Sequence, residues 1–195
     1  MKYLFLLFMI LYSYAAIRYH IGKALGIDFF LFVFNKAIAW SAATFLGFSL
    51  LSFNAPFPSK KTFGISSFIL GFAHVLLTIT LAFFGFFPNY FNTNGLSNEG
   101  VVILISGGLT ILLMIFPLLA SLFPEKHPKI WLKIGKFALL VNIFHPIIIG
   151  VKNWWIPGKW PLLLPPITLL TTLIYAIIVA IYWKQKKGVE RTPFN

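Results

Sequence analysis

Six apolar runs dominate this chain, at roughly 3–17, 29–52, 63–87, 101–122, 135–151 and 162–183. A helix that spans a bilayer needs about 20 such residues to cross a hydrocarbon core about 30 Å thick. In lipid every backbone polar group must find its partner within the spanning structure, so apolar runs of this length fold as helices. The segments between them include SFNAPFPSKK, FPNYFNTNGLSNEG, FPEKHPKIWLK and NWWIPGKWP. They mix Pro, Gly, Asn and Lys, as turns at a membrane surface do. The expected fold is all-α: an integral membrane six-helix bundle, one transmembrane domain over residues 1–195, surrounded by lipid.

The first run allows a second reading. Lys2, then LFLLFMILYS, then Ser13-Tyr14-Ala15 resembles a signal peptide with a small-residue cleavage site. Removal of residues 1–15 would leave five spans; a retained first helix is the favoured expectation.

Composition agrees and excludes several function classes. Hydrophobic residues make up 59% of the 195 and charged residues 10%, against about 25% charged in soluble domains. The polar stretches are too short to house a soluble nucleotide-binding or flavin domain, and neither a P-loop nor a GxGxxG fingerprint occurs. Cysteine is absent, which removes disulfides, iron–sulfur ligation, thiolate-bound haem and covalent CxxCH haem. The net charge of +12 sits between apolar runs, so it reads as membrane topology rather than as a nucleic-acid surface.

Counting cations by side sets the expected orientation. With the amino terminus inside, one side holds Lys2, Lys60, Lys61, Lys126, Lys129, Lys133, Lys136, Lys184, Lys186, Lys187 and Arg191. The other holds Arg18, Lys23, Lys152 and Lys159, and Lys36 falls within the second span. Eleven against four places both termini in the cytoplasm of a multi-pass protein of the inner (cell) membrane.

Ionisable residues inside a membrane are costly and so mark function. His20, in RYHIGK, and His127, in PEKHPK, read as solvated interfacial residues. His74 and His145 lie deep in apolar runs. His74 follows Lys61 by 13 residues and His145 follows Lys133 by 12. Both helices run outward from the cytoplasmic side, so at about 1.5 Å per residue both imidazoles stand roughly 18–20 Å above the inner lysines. Two histidines at one depth on two spans suit a shared metal centre, and the axial positions of one b-type haem above all. Ser66, Ser67, Gly71 and Ala73 are small enough to admit a flat macrocycle beside the third helix. On spacing alone the alternative stands level: each His hydrogen-bonds a neighbouring helix.

Residues 60–76, KKTFGISSFILGFAHVL, resemble the third helix of the ferric reductase-like transmembrane family. The likeness is to its bacterial haem-binding subunits of the methionine sulfoxide reductase system. Lys60 and Lys61 stand for a basic pair, Phe63-Gly64 for Leu-Gly, and His74 for the haem-ligating His. Over about 29–187, Ala39, Trp40, Leu46 and Leu50, then LLASLF, the run Phe137 to His145 and the terminal WKQKK are similar in texture. The resemblance implies a b-type cytochrome, the electron-transfer subunit of a ferric reductase-like oxidoreductase. It would have a cytoplasmic reductase as donor and an outer-side acceptor such as ferric iron, a quinone or a partner oxidoreductase. The family's second His of the fifth helix would fall at Leu132 and is missing. One haem is therefore expected, on His74 and His145, with an inner gap for a quinol, a flavin or a membrane-entering donor to bridge.

Lys36 either snorkels to the surface or meets a haem propionate, as does Lys152, seven residues past His145. Pro146 either bends α-helical backbone near its end or kinks it to aim His145 inward, with Asn142 taking up the freed groups. Trp154, Trp155 and Trp160 read as an interfacial aromatic belt. The four carboxylates, Asp28, Glu99, Glu125 and Glu190, fall at segment ends, and no Ser–His–Asp set or HExxH supports hydrolysis. Two other classes stay open: a haem-free structural or assembly protein on the same scaffold, and a solute transporter, which lacks the expected internal symmetry.

Overall fold

A computed structural model describes residues 2–20, 26–51, 53, 57–87, 90–92, 95–123, 125 and 128–190. Six long helices carry the fold: α1 (Lys2–His20), α2 (Ile27–Phe48), α3 (Lys60–Phe83), α4 (Asn98–Leu122), α5 (Lys129–Trp154) and α6 (Ile167–Glu190). All six are long and apolar enough to cross a membrane. The chain is an all-α, multi-pass membrane protein. The α3–α4 connection holds a small antiparallel ladder, Phe91 opposite Leu96 and Asn92 opposite Gly95.

Helix starts follow from local chemistry. Ser59 accepts a hydrogen bond from the Thr62 amide at 3.2 Å and caps α3. Ser97 does the same for α4 through the Gly100 amide at 3.0 Å. Each cap satisfies one of the orphan amides of a first turn. α5 begins directly after Pro128 and continues through Pro146 as one helix. The Asn142 side chain donates to the Tyr175 hydroxyl on α6 and so ties α5 to α6.

α2 is the central helix. Of its spanning window 61% is buried, against 17% for α3 and for α4. It packs on α1, α3 and α6, while α4 pairs with α5 and joins α3. Leu11 and Ala15 of α1 meet Val33, Ala37 and Trp40 of α2 in one buried cluster with Ile167. A second cluster joins Ala43 and Leu46 to Met114, Ala138, Leu139 and Tyr175. The outward faces carry exposed Ile69, Phe72, Ile105, Leu112, Phe144 and Ile177. In water such a surface would aggregate; in lipid it is the expected solvent-facing side.

Small residues set the closest approaches. A Cβ on Gly47 would come within 2.6 Å of Ile178 Cδ1, and one on Gly135 within 3.0 Å of Pro117 Cβ. The α5–α6 connection turns sharply: Leu162 and Leu163 take left-handed φ values of 49° and 60°, a conformation costly for any residue with a Cβ. The carbonyls that follow, of Leu164 and Pro165, accept hydrogen bonds from Arg18 and from the Tyr14 hydroxyl of α1. Those two bonds dock the connection onto α1.

Candidate functional site

The half of the bundle where α1, α3 and α5 end holds a cavity of about 850 Å³. That volume lies in the range of small-molecule and cofactor pockets. Every one of the six helices lines it, with Trp40, Ala43, Ile103, Met114 and Ile149 among the apolar walls. His74 and His145 both face it.

Each imidazole is held from a different neighbouring helix. Nδ1 of His74 lies 2.7 Å from Asn35 Oδ1. An amide oxygen only accepts, so Nδ1 carries the proton and donates. Asn35 is fully buried, and its own Nδ2 donates to Thr78 Oγ1 at 3.0 Å. On the other wall, His145 Nδ1 lies 2.8 Å from Ser106 Oγ. The Ser106 hydroxyl also reaches the Ile103 carbonyl at 3.0 Å; with its proton there, Nδ1 donates here too. In a neutral imidazole this leaves the lone pair on Nε2. His74 thus takes, and His145 can take, the tautomer that ligates a metal through Nε2, with the Nδ1–H anchored on an oxygen.

Gly107 makes room for the second ring: a Cβ there would stand 3.2 Å from His145 Cε1. Of the small residues expected beside His74, Ser67 and Gly71 line the cavity, while Ser66 and Ala73 are not among its lining residues. Among the described residues no group of three or more His, Cys, Asp or Glu comes together to chelate a bare ion. Two imidazoles over an apolar cavity are, however, the donor set a haem needs, because the macrocycle supplies the remaining nitrogens. The residues fit that group.

The expected propionate partners separate. Lys36 lines the cavity, and its Nζ lies 5.2 Å from the Phe32 ring and 5.5 Å from that of Phe87, within cation–π range. Lys152 instead pairs with Glu99 at 3.4 Å, both exposed, and is not among the lining residues. Trp160 lines the mouth and donates to the Asn153 carbonyl, whereas Trp155 is exposed. His20 ends α1 with its ring 5.9 Å from Phe29, and His127 lies outside the described residues.

Sequence reasoning passed over Asn35, Ser106, Gly107 and Arg18. Asn35 had a signal, as a polar residue beside Lys36 within an apolar run. Ser106 and Gly107 had none, since small residues recur throughout. Arg18, counted as an outer-loop cation, is buried within α1 and lines the cavity. At the mouth Tyr90 keeps its phenol proton above the ordinary value of 10.0, through burial first, then the Glu99 carboxylate and Tyr19.

The fold is that of a polytopic α-helical membrane protein with a cavity among its helices. No protein-family model matches the chain, and no curated protein matches it.

Proposed function

We propose that this chain is a membrane b-type cytochrome that carries electrons across the bilayer, with His74 and His145 holding one haem. What supports this is the matched pair of imidazoles: two helices, one cavity, and Nδ1 of each held on a neighbour's oxygen. A haem bound there supplies one-electron chemistry that no side chain of this protein possesses. The chain's own part is to bind, orient and tune. Asn35 and Ser106 fix the ring planes and raise the basicity of Nε2. Trp40, Ile103 and Met114 keep the chamber apolar, which favours the less charged state of a bound centre.

The motif of residues 60–76 supports the same assignment, as a one-haem relative of the ferric reductase-like transmembrane family. Both termini then face the cytoplasm of the cell membrane, a cytoplasmic reductase is the donor, and the acceptor lies on the outer face. The cavity, at the ends of α1, α3 and α5, lies toward that face in this orientation.

The second reading is a haem-free structural or assembly protein. It draws on the same hydrogen bonds, because Asn35–His74 and Ser106–His145 also act as ties between α2 and α3 and between α4 and α5. A reduced-minus-oxidised absorbance spectrum of the purified protein, beside His74→Ala and His145→Ala, separates the two. A low-spin b-type spectrum that vanishes in either variant is expected. A wild type that stays colourless after haem supplementation would overturn the cytochrome.

A further inference from the structure

We infer that the cavity continues between α3 and α4 as a lateral slit open to the bilayer, and that one acyl chain of a membrane lipid occupies it. The inference goes beyond the haem reading and does not depend on what His74 and His145 hold.

The register of two neighbouring, oppositely directed helices builds the slit. At its deep end they touch: a Cβ on Gly71 would come within 3.0 Å of Ile111 Cδ1. One turn along α3 and one turn back along α4, Val75 comes level with Gly108; a further turn brings Ile79 level with Leu104. All six residues line the cavity, so open space runs between the helices over this stretch. At about 1.5 Å per residue, Gly71 to Ile79 spans about 12 Å. Gly108 shows the room available. A Cβ there would meet nothing within 4 Å, whereas one on Gly107 beside it would stand 3.2 Å from His145 Cε1.

Exposure shows where the slit leads. Ile79 and Leu104 line the cavity and are nonetheless 45% and 37% exposed. Residues that face both a cavity and the outside stand at an opening. Asn153 and Lys159 also line the cavity and are exposed, and they mark a separate polar mouth beside the α5–α6 connection. The opening at Ile79 and Leu104 is different: it is apolar, and both its edges belong to spanning helices. Leu76 of α3 and Ile105 and Leu109 of α4 are exposed around it, so the medium at its edge is hydrocarbon. Water entering an apolar slit would forfeit hydrogen bonds that nothing there replaces. The occupant that the surroundings supply is an acyl chain, running along the helices as chains run within a leaflet. It closes the chamber on its α3–α4 side and keeps water from the imidazoles there.

The test places full-length protein in nanodiscs whose phosphatidylcholine carries a diazirine in one acyl chain, and locates the photoadducts by mass spectrometry. Met114 lines the cavity one turn past Ile111 and is only 4% exposed, so a chain that stays outside the bundle does not touch it. Wild type should carry adducts at Ile111 and Met114, besides those on outward residues such as Ile177 of α6. Gly108→Trp, which seats an indole in the open space, should lose the two inner adducts and keep the one at Ile177. If that variant fails to elute as a monodisperse species, Gly108→Leu should still reduce them. Wild-type adducts confined to outward residues would overturn the slit, as would inner adducts that neither substitution diminishes. The same adducts are expected in His74→Ala, so failure of the cytochrome and failure of the slit read out separately.

Discussion

His74 and Asn35 meet across the α2–α3 interface at 2.7 Å, imidazole Nδ1 to amide Oδ1. That contact fixes one tautomer of a histidine that hydropathy alone would have left free to take either. Asn35 in turn donates to Thr78, one turn beyond His74 on the same helix. The three side chains form a closed set inside an apolar wall, where a half-satisfied network would be costly.

Replacing Asn35 with Leu removes the 2.7 Å acceptor and leaves the His74 N–H only the longer contact to Thr78 Oγ1, at 3.3 Å. The expected cost is about 1–3 kcal/mol of stability. Haem affinity should fall roughly 10–100-fold, as when a ligand's outer partner is lost. Thermal unfolding in detergent and a haem titration check the two effects separately.

Gly107→Val places a branched side chain where even a Cβ would be 3.2 Å from His145 Cε1. The ring must swing away and its 2.8 Å contact with Ser106 breaks. Helix content by circular dichroism should be unchanged, while the b-type spectrum is lost. Retention of the full spectrum would show that His145 is not held in this position.

Gly150→Leu strikes a different joint. A Cβ there overlaps Thr168 Oγ1 and comes within 2.6 Å of Trp154 Nε1, which itself donates to Thr168 at 2.9 Å. Overpacking of this kind costs about 1–3 kcal/mol. The variant should melt at a lower temperature.

Tyr90 makes stability sensitive to alkali. Its folded pKa is raised above 10.0, so above that pH the folded state holds a proton that the unfolded chain releases. Its contribution is complete below about pH 10 and is lost as pH climbs through the folded value. Between about pH 8 and about pH 11 the melting temperature of Tyr90→Phe should fall less steeply than that of wild type. Parallel curves would mean that the phenol does not titrate with unfolding.

Much of the architecture was legible in the residues. Six apolar runs with Lys-, Pro- and Gly-bearing breaks specify six spanning helices, because length and hydropathy are local quantities that lipid reads directly. The ends moved by a few residues: α2 closes at Phe48 rather than near 52, and α5 starts at Lys129, six residues ahead of the expected 135. Caps and prolines set those limits more sharply than hydropathy does. His74 and His145 stood out for the same local reason, as ionisable groups in apolar surroundings, and both line the cavity.

Which neighbour each side chain would meet was decided by tertiary structure. Lipid and protein interior are equally apolar, so an apolar run does not say which of its faces turns inward. Only packing made α2 the central helix, brought Asn35 to His74 and Ser106 to His145, and drew Arg18 out of a presumed loop into the chamber wall. Packing also gave Lys152 to Glu99 and left Lys36 at the cavity. Residue types and their spacing carried the expectation that two histidines share a level in the membrane. The helix contacts, set by small residues and by hydrogen bonds between spans, determined that those histidines share a chamber and which oxygen each Nδ1 meets.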